Sequence, residues 1–246
     1  MLDQTIIDQL ENIVRKDYLQ IHSEKVFVSP EDTSAVSQIV RLANQEKFKI
    51  LPLGSGSILD LQRFPSDNIV VLRSDKLNRV KKVVPEDLYV TLQAGFLLKE
   101  LNRHLKSFNL FYPLTDPNSV GTIGGAVATN LRGKSGEKSI QTREYILAIE
   151  VVDPEGQILN LGARTFKSVT GYDLPRLFVG SWGTLGFISE ISLRLVPARK
   201  KKDYPAFVLD QPIRMKNKKD VKTILSSRIK KSLDPNEVFF DLDPHT

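Results

Sequence analysis

Leu2, Ile6, Ile7, Leu10, Ile13 and Val14 recur at helical intervals, which predicts an amphipathic helix over residues 3–16. Val26-Phe27-Val28 reads as a short strand ended by Ser29-Pro30. Asp32 or Thr33 then caps a second helix with the apolar face Val36, Ile39, Val40 and Ala43, and residues 48–52 return as a strand. This β-α-β unit delivers the chain into a glycine loop. Residues 69–72, 80–84 and 89–93 are rich in β-branched and aromatic side chains and predict strands, the last two joined across Pro85-Glu86-Asp87. Leu97, Leu98, Leu101 and Leu105 form one face of a third helix. A short helix of small residues is expected near 122–128, and residues 145–152 and 157–161 flank the turn Asp153-Pro154-Glu155-Gly156 as a hairpin. Residues 186–196 predict a further strand. Val221, Ile224, Leu225, Ile229 and Leu233 predict a terminal helix that stops at Asp234-Pro235-Asn236.

Strands and helices mixed without strict βαβ repetition point to an α+β architecture. Two lobes are expected, residues 1–73 and 74–198, followed by a basic linker at 199–220 and a C-terminal helix and tail at 221–246. With 246 residues, 41% of them hydrophobic and 26% charged, the chain is long enough for a substantial core, and disorder is excluded.

The first twenty residues mix charges with isoleucine and leucine and lack a secretory apolar region, and no run is long enough to span a membrane. A soluble, cytoplasmic protein is expected. The chain has no cysteine, so it supplies no disulfide, iron–sulfur cluster or thiolate zinc site of its own. The net charge of +6 is local: residues 199–231 hold twelve Lys or Arg against three Asp, whereas the remainder holds 23 basic and 26 acidic residues. The run Arg199-Lys200-Lys201-Lys202 is either a solvated linker or a contact for an acidic partner. No nucleic-acid-binding motif or aromatic-basic interleaving accompanies it, so nucleic acid is not an expected partner.

Two segments carry candidate chemistry. Pro52-Leu53-Gly54-Ser55-Gly56-Ser57-Ile58 lies at a strand end, where glycine permits successive backbone N–H groups to converge on an anion such as a pyrophosphate. An ordinary turn has the same composition, and the third glycine of the dinucleotide fingerprint is missing. The second segment runs from Tyr112-Pro113-Leu114-Thr115-Asp116 through Gly121-Thr122-Ile123-Gly124-Gly125 to Ala128-Thr129-Asn130. Its prolines fix the approach, and its small residues let a flat ligand or a pyrophosphate lie against the start of a helix. A helix packed tightly through Gly and Ala accounts for the small residues but not for Asp116, Thr122 and Asn130.

These two segments, followed by Thr170-Gly171-Tyr172-Asp173-Leu174 and Gly180-Ser181-Trp182-Gly183-Thr184-Leu185-Gly186, resemble the FAD-binding domain of the vanillyl-alcohol oxidase and p-cresol methylhydroxylase superfamily. The similarity runs over about residues 22–198 and lies in the branch of D-lactate, glycolate and 2-hydroxyglutarate dehydrogenases. Residues 166–177 look especially like the accessory flavin-binding subunit of glycolate oxidase. The resemblance implies a two-lobed FAD-binding domain. Gly54, Gly56 and Ser57, within Pro52 to Ile58 with Leu53 and Ser55, would wrap the FAD pyrophosphate. Leu114, Thr115 and Asp116 would flank the flavin and its ribityl chain. Gly121, Thr122, Gly124, Gly125, Ala128, Thr129 and Asn130 would line the floor, and Gly186, Phe187 and Ile188 would meet the adenine end. Arg143 is carried over more weakly, from a basic turn. No metal site is implied.

Three departures shape the expectation. Trp182 stands where the related dehydrogenases have glutamate, as a surface contact or a lid. His22, His104 and His245 lie away from the glycine loop and no cysteine exists, so FAD is expected to be bound non-covalently. Full-size members carry a substrate or cap domain between the last strand and an ending like Leu233-Asp234-Pro235; here the cap is expected to be absent and the ending kept. The expected function is an FAD-binding redox subunit of a heteromeric 2-hydroxyacid dehydrogenase of the glycolate or D-lactate type. Its partner would be a substrate-binding flavoprotein or an iron–sulfur subunit. The alternatives are a self-sufficient small FAD-dependent oxidoreductase using Tyr172, Arg143 or Lys167, and a non-catalytic flavin-fold scaffold. No proton-abstracting base is assigned.

Overall fold

Asp3 starts the first helix: its carboxylate accepts from the Thr5 amide at 2.9 Å, and residues Gln4–Ile13 (α1) bury Ile6, Ile7 and Leu10. A computed structural model describes residues 2–65, 67–135, 137–163, 174–204, 208–210 and 221–241. After β1 (Leu19–His22) and β2 (Lys25–Val28), Asp32 caps α2 (Thr33–Glu46) by accepting from the Ala35 amide at 2.8 Å. Lys47, left-handed at φ 61°, ends α2 and turns the chain into β3 (Lys49–Leu53). There follow β4 (Ile69–Arg73), β5 (Val80–Val84), β6 (Tyr89–Gln93), α3 (Leu98–Leu105), β7 (Leu110–Phe111) and α4 (Ile123–Thr129). Next come β8 (Arg132–Ser135), β9 (Lys138–Gln141), β10 (Ile146–Val152), β11 (Ile158–Gly162), α5 (Pro175–Phe178) and β12 (Phe187–Arg194). The last elements are β13 (Val196–Pro197), β14 (Val208–Asp210) and α6 (Val221–Leu233).

The first sheet has the order β1-β2-β4-β3, with β4 parallel to both β2 and β3. The predicted β-α-β unit is therefore present, with β4 inserted between its strands. Parallel strands covered by a helix are buried, and β4 is accordingly apolar from Ile69 to Leu72. The second sheet is antiparallel in the order β11-β10-β12-β6-β5. Two large cores result. One packs α1 and α2 on the first sheet, and the other packs α3 and α4 on the second. Val152 and Phe187 of the second sheet, with Val238 and Phe239 of the C-terminal segment, pack into the first core and so tie the two sheets together.

The hairpin of β8 and β9, extended by β14, is not foreshadowed by alternation, because Arg132-Gly133-Lys134-Ser135 is polar throughout. Among the predicted features, the motif over residues 164–173, including Lys167 and Tyr172, lies outside the described residues, as do His245 and much of the basic linker.

Tyr112 and Tyr145 meet edge to face in the second core, with ring centres 5.5 Å apart. Burial raises the pKa of both phenols well above the ordinary tyrosine value, and Tyr204 beside Tyr145 adds to the rise there. A raised folded-state value means that this contribution to stability is intact below the unfolded-state pKa of about 10 and is lost as pH climbs beyond it. Ultraviolet titration is therefore expected to show Tyr112 and Tyr145 remaining un-ionised after exposed tyrosines have titrated, with stability to denaturant falling above that pH. The single variants Y112F and Y145F, each lacking one buried phenol, are expected to flatten that fall; an unchanged slope in both would contradict the assignment.

Candidate functional site

β3 lies beside β4 and, past Leu53, leaves the sheet through Gly54-Ser55-Gly56-Ser57-Ile58. Residues 55–58 are exposed, and Gly56 has φ +71°. Among the described residues, none of the five backbone N–H groups from Gly54 to Ile58 donates to a protein acceptor. Consecutive free N–H groups around a left-handed glycine form a concave nest suited to an anion.

α4 forms the floor beneath this loop. Its N-cap Thr122 accepts from the Gly125 amide through Oγ1 at 3.1 Å, while the Ile123 and Gly124 amides donate to the Phe96 and Ala94 carbonyls at 2.9 and 2.7 Å. These amides are spent inside the protein, so the opening turn of α4 offers small side chains rather than free donors. Of the two ligand parts expected against the helix start, this favours a flat ring over a pyrophosphate. The nest and the floor meet at Gly54, where an added Cβ would stand 2.6 Å from Thr122 Oγ1.

A third wall comes from the turn that precedes β12. The amides of Gly180 and Trp182 donate to the Val127 and Ala128 carbonyls at 3.0 and 2.9 Å, which pins this turn to the end of α4. Trp182, half-buried, sits at φ 57°, a region bulky L side chains seldom enter, and lines the cleft. Gly183 lies against Pro52 of β3, closing the circuit of walls.

The walls bound an open cleft. The structure brings Pro52, Leu53, Gly54, Ser55, Gly56, Ser57 and Ile58 together in it with Gly121, Thr122, Gly124, Gly125, Ala128 and Thr129, and with Gly186, Phe187 and Ile188. Five expected site residues do not line it. Leu114 is fully buried, and Thr115 uses its hydroxyl to donate to the Leu98 carbonyl at 2.7 Å. Asp116 is exposed and accepts from the Asn118 amide at 2.7 Å in a local turn. Asn130 is left-handed and ends α4, its side chain holding Gln141 Oε1 and the Arg143 amide at 3.0 and 3.1 Å. Arg143 itself is exposed away from the cleft. Conversely, Leu59, Ser74, Ala94, Leu98, Val120, Ala126, Leu131 and Gly183 line the cleft and were not singled out, and Trp182 does so as well. Val120 and Ala126 sat inside a recognised motif, whereas Ser74 and Ala94 join through the sheets alone. Among the described residues, none of the lining side chains is charged.

Comparison with known proteins shows the family of the chain. The FAD binding domain family matches residues 25–162, more than half of the chain, and the chain belongs to that family. Glycolate oxidase subunit GlcD of Bacillus subtilis (strain 168) is 37% identical over 177 residues, covering 71% of this chain and 37% of the relative. D-lactate dehydrogenase of Anaerostipes hadrus is 33% identical over 196 residues, covering 78% and 41%. The chain spans less than half the length of these curated relatives. Two solved structures of alkyldihydroxyacetonephosphate synthase share the fold at 20% identity, with TM-scores of 0.68 and 0.63 over 80% of this chain and 41% and 42% of theirs. The mixed α+β expectation and the FAD cofactor are thereby supported.

The residues fit FAD: five amides without a partner among the described residues suit a pyrophosphate, and a floor of glycine and alanine accepts a flat ring system. In the variant G54A the added methyl displaces Thr122 Oγ1, with loss of an N-cap contact worth about 1 kcal/mol. Titration with FAD is expected to show G54A binding at least ~10-fold more weakly than the parent, about 1.4 kcal/mol. Equal affinity would remove Gly54 from the site.

Proposed function

We propose that this chain is the FAD-binding redox subunit of a heteromeric 2-hydroxyacid dehydrogenase of the glycolate or D-lactate type. The observation that carries the reading is the cleft itself, a backbone nest for a pyrophosphate above a small-residue floor, with no charged or titrating side chain among its described lining residues. Such walls hold and orient a cofactor, but they offer no group to take a proton from a substrate carbon. FAD supplies hydride acceptance and electron transfer when bound, while the protein supplies position and electrostatics. In this reading Gly54 to Ile58 donate backbone hydrogen bonds to the pyrophosphate, Thr122 to Thr129 support the flat rings, and Gly186 to Ile188 border the far end.

Non-covalent attachment is supported by the same inventory. The chain has no cysteine, His22 stands exposed on β1, and His104 stands on α3 between Phe96 and Phe108. Neither histidine lines the cleft. A partner that covers the open face would provide the substrate-binding groups, whether a substrate-binding flavoprotein or an iron–sulfur subunit. The related proteins named above act as an oxidase subunit and a dehydrogenase, which supports a 2-hydroxy acid as the reductant of the assembled enzyme. No helix among the described residues is long and apolar enough to cross a membrane.

The test is anaerobic reduction of the FAD-loaded chain. Dithionite is expected to bleach the flavin band reversibly, whereas D-lactate and glycolate leave it unchanged in the isolated chain. Bleaching by either hydroxy acid alone would replace the subunit reading with that of a self-sufficient oxidoreductase.

A further inference from the structure

The C-terminal segment holds a buried ion pair that the cofactor reading does not use. Lys230, on the last turns of α6, is only 8% exposed, and Asp234 is fully buried. The ammonium has three donors, and all three are spent. Lys230 Nζ donates to Asp234 Oδ2, to the Phe239 carbonyl at 2.8 Å and to the Thr184 carbonyl at 2.8 Å. Asp234 in turn accepts from the Val238 and Phe239 amides at 2.9 Å each. The turn after α6 is thus folded around one carboxylate and one ammonium.

Both ends of this knot reach the cleft. Thr184 belongs to the turn that carries Trp182 and Gly183, two residues of the cleft wall. On the other side, the Ile50 amide donates to the Val238 carbonyl and the Phe240 amide to the Ile50 carbonyl, each at 2.7 Å, so residues 238–240 extend the first sheet along β3. β3 is the strand that delivers the Gly54 loop, and Phe239 is fully buried in the core beneath it. The segment therefore spans the outside of the cleft from one wall to the other, with Lys230 as the link to the Trp182 turn.

Resting on the FAD reading above, we propose that Lys230 is a positioning residue for the cofactor cleft, holding the Trp182 turn against the glycine-loop strand through the Thr184 carbonyl. A lysine suits this task because its ammonium satisfies a carboxylate and two carbonyls at once. Removing it leaves the Asp234 carboxylate buried with fewer partners and frees the Thr184 carbonyl. The turn then keeps its hydrogen bonds to α4 and those from Ser181 to the Phe178 carbonyl of α5, and loses its tie to the C-terminal segment.

The test compares K230M, K230R and the double variant K230M/D234N by FAD titration and by amide hydrogen exchange without cofactor. K230M is expected to bind FAD at least ~10-fold more weakly. Exchange of the Gly180 and Trp182 amides is expected to accelerate while amides of β2 and β4 stay protected, and K230R restores both readouts in part. The double variant removes charge from both sides and makes the same comparison if K230M does not fold. A folded variant lacking Lys230 that binds FAD within about twofold of the parent, with unchanged exchange at Gly180 and Trp182, would overturn the proposal. Failure of both variants to fold would also overturn it, by assigning the pair to global folding. A parent chain that does not take up FAD would defeat the cofactor reading instead, and the exchange data would still report whether Lys230 holds the turn.

Discussion

Unpaired backbone N–H groups cost free energy in a dry interior and persist only where water or a ligand reaches them. The five consecutive amides from Gly54 to Ile58 are such a run, and much of the fold serves to present them. β3 brings them to the end of a parallel sheet, and β4 beside it keeps that strand buried. Thr122 stands where only glycine at position 54 leaves room, so loop and floor are fitted to each other. The donors at the start of α4 are consumed by Ala94, Phe96 and Thr122, so in the proposed reading the labour is divided: the loop would meet negative charge, and the helix would give a flat surface.

The cleft's neutrality follows from the same division. With anion recognition assigned to backbone dipoles, no lysine or arginine is needed at the site, and none of the described lining residues carries charge. Backbone donors are also fixed by the fold, so they lose little conformational freedom when a ligand binds. Trp182 is the exception to economy in this site: a bulky residue kept left-handed by the hydrogen bond its backbone N–H donates to the Ala128 carbonyl and by its neighbours on the turn.

Much of the architecture was legible because local chemistry and tertiary burial agree. The apolar face of Val36, Ile39, Val40 and Ala43 is the buried face of α2, and Asp32 caps it as its side chain permits. The turn Asp153-Pro154-Glu155-Gly156 joins β10 to β11, with Asp153 Oδ1 accepting from the Glu155 and Gln157 amides. What escaped notice is non-local or polar. The β8–β9 hairpin lacks an apolar alternation, and the pairing of Ile50 with Phe239 joins residues far apart in the chain. Within the site, the glycine loop and the small-residue helix were readable from composition. Leu114, Thr115 and Asn130 stand behind the cleft lining, and motif position does not distinguish a side chain that faces a cleft from one that secures the loop behind it.

The most direct test of an FAD site built from backbone donors and held without a covalent link is the visible spectrum of the purified chain, followed by denaturation and identification of the released chromophore. The account predicts an oxidised flavin spectrum and FAD, unmodified, in the soluble fraction after the protein is precipitated. A colourless chain that also fails to take up added FAD would contradict it, as would a flavin that stays attached to the precipitated polypeptide.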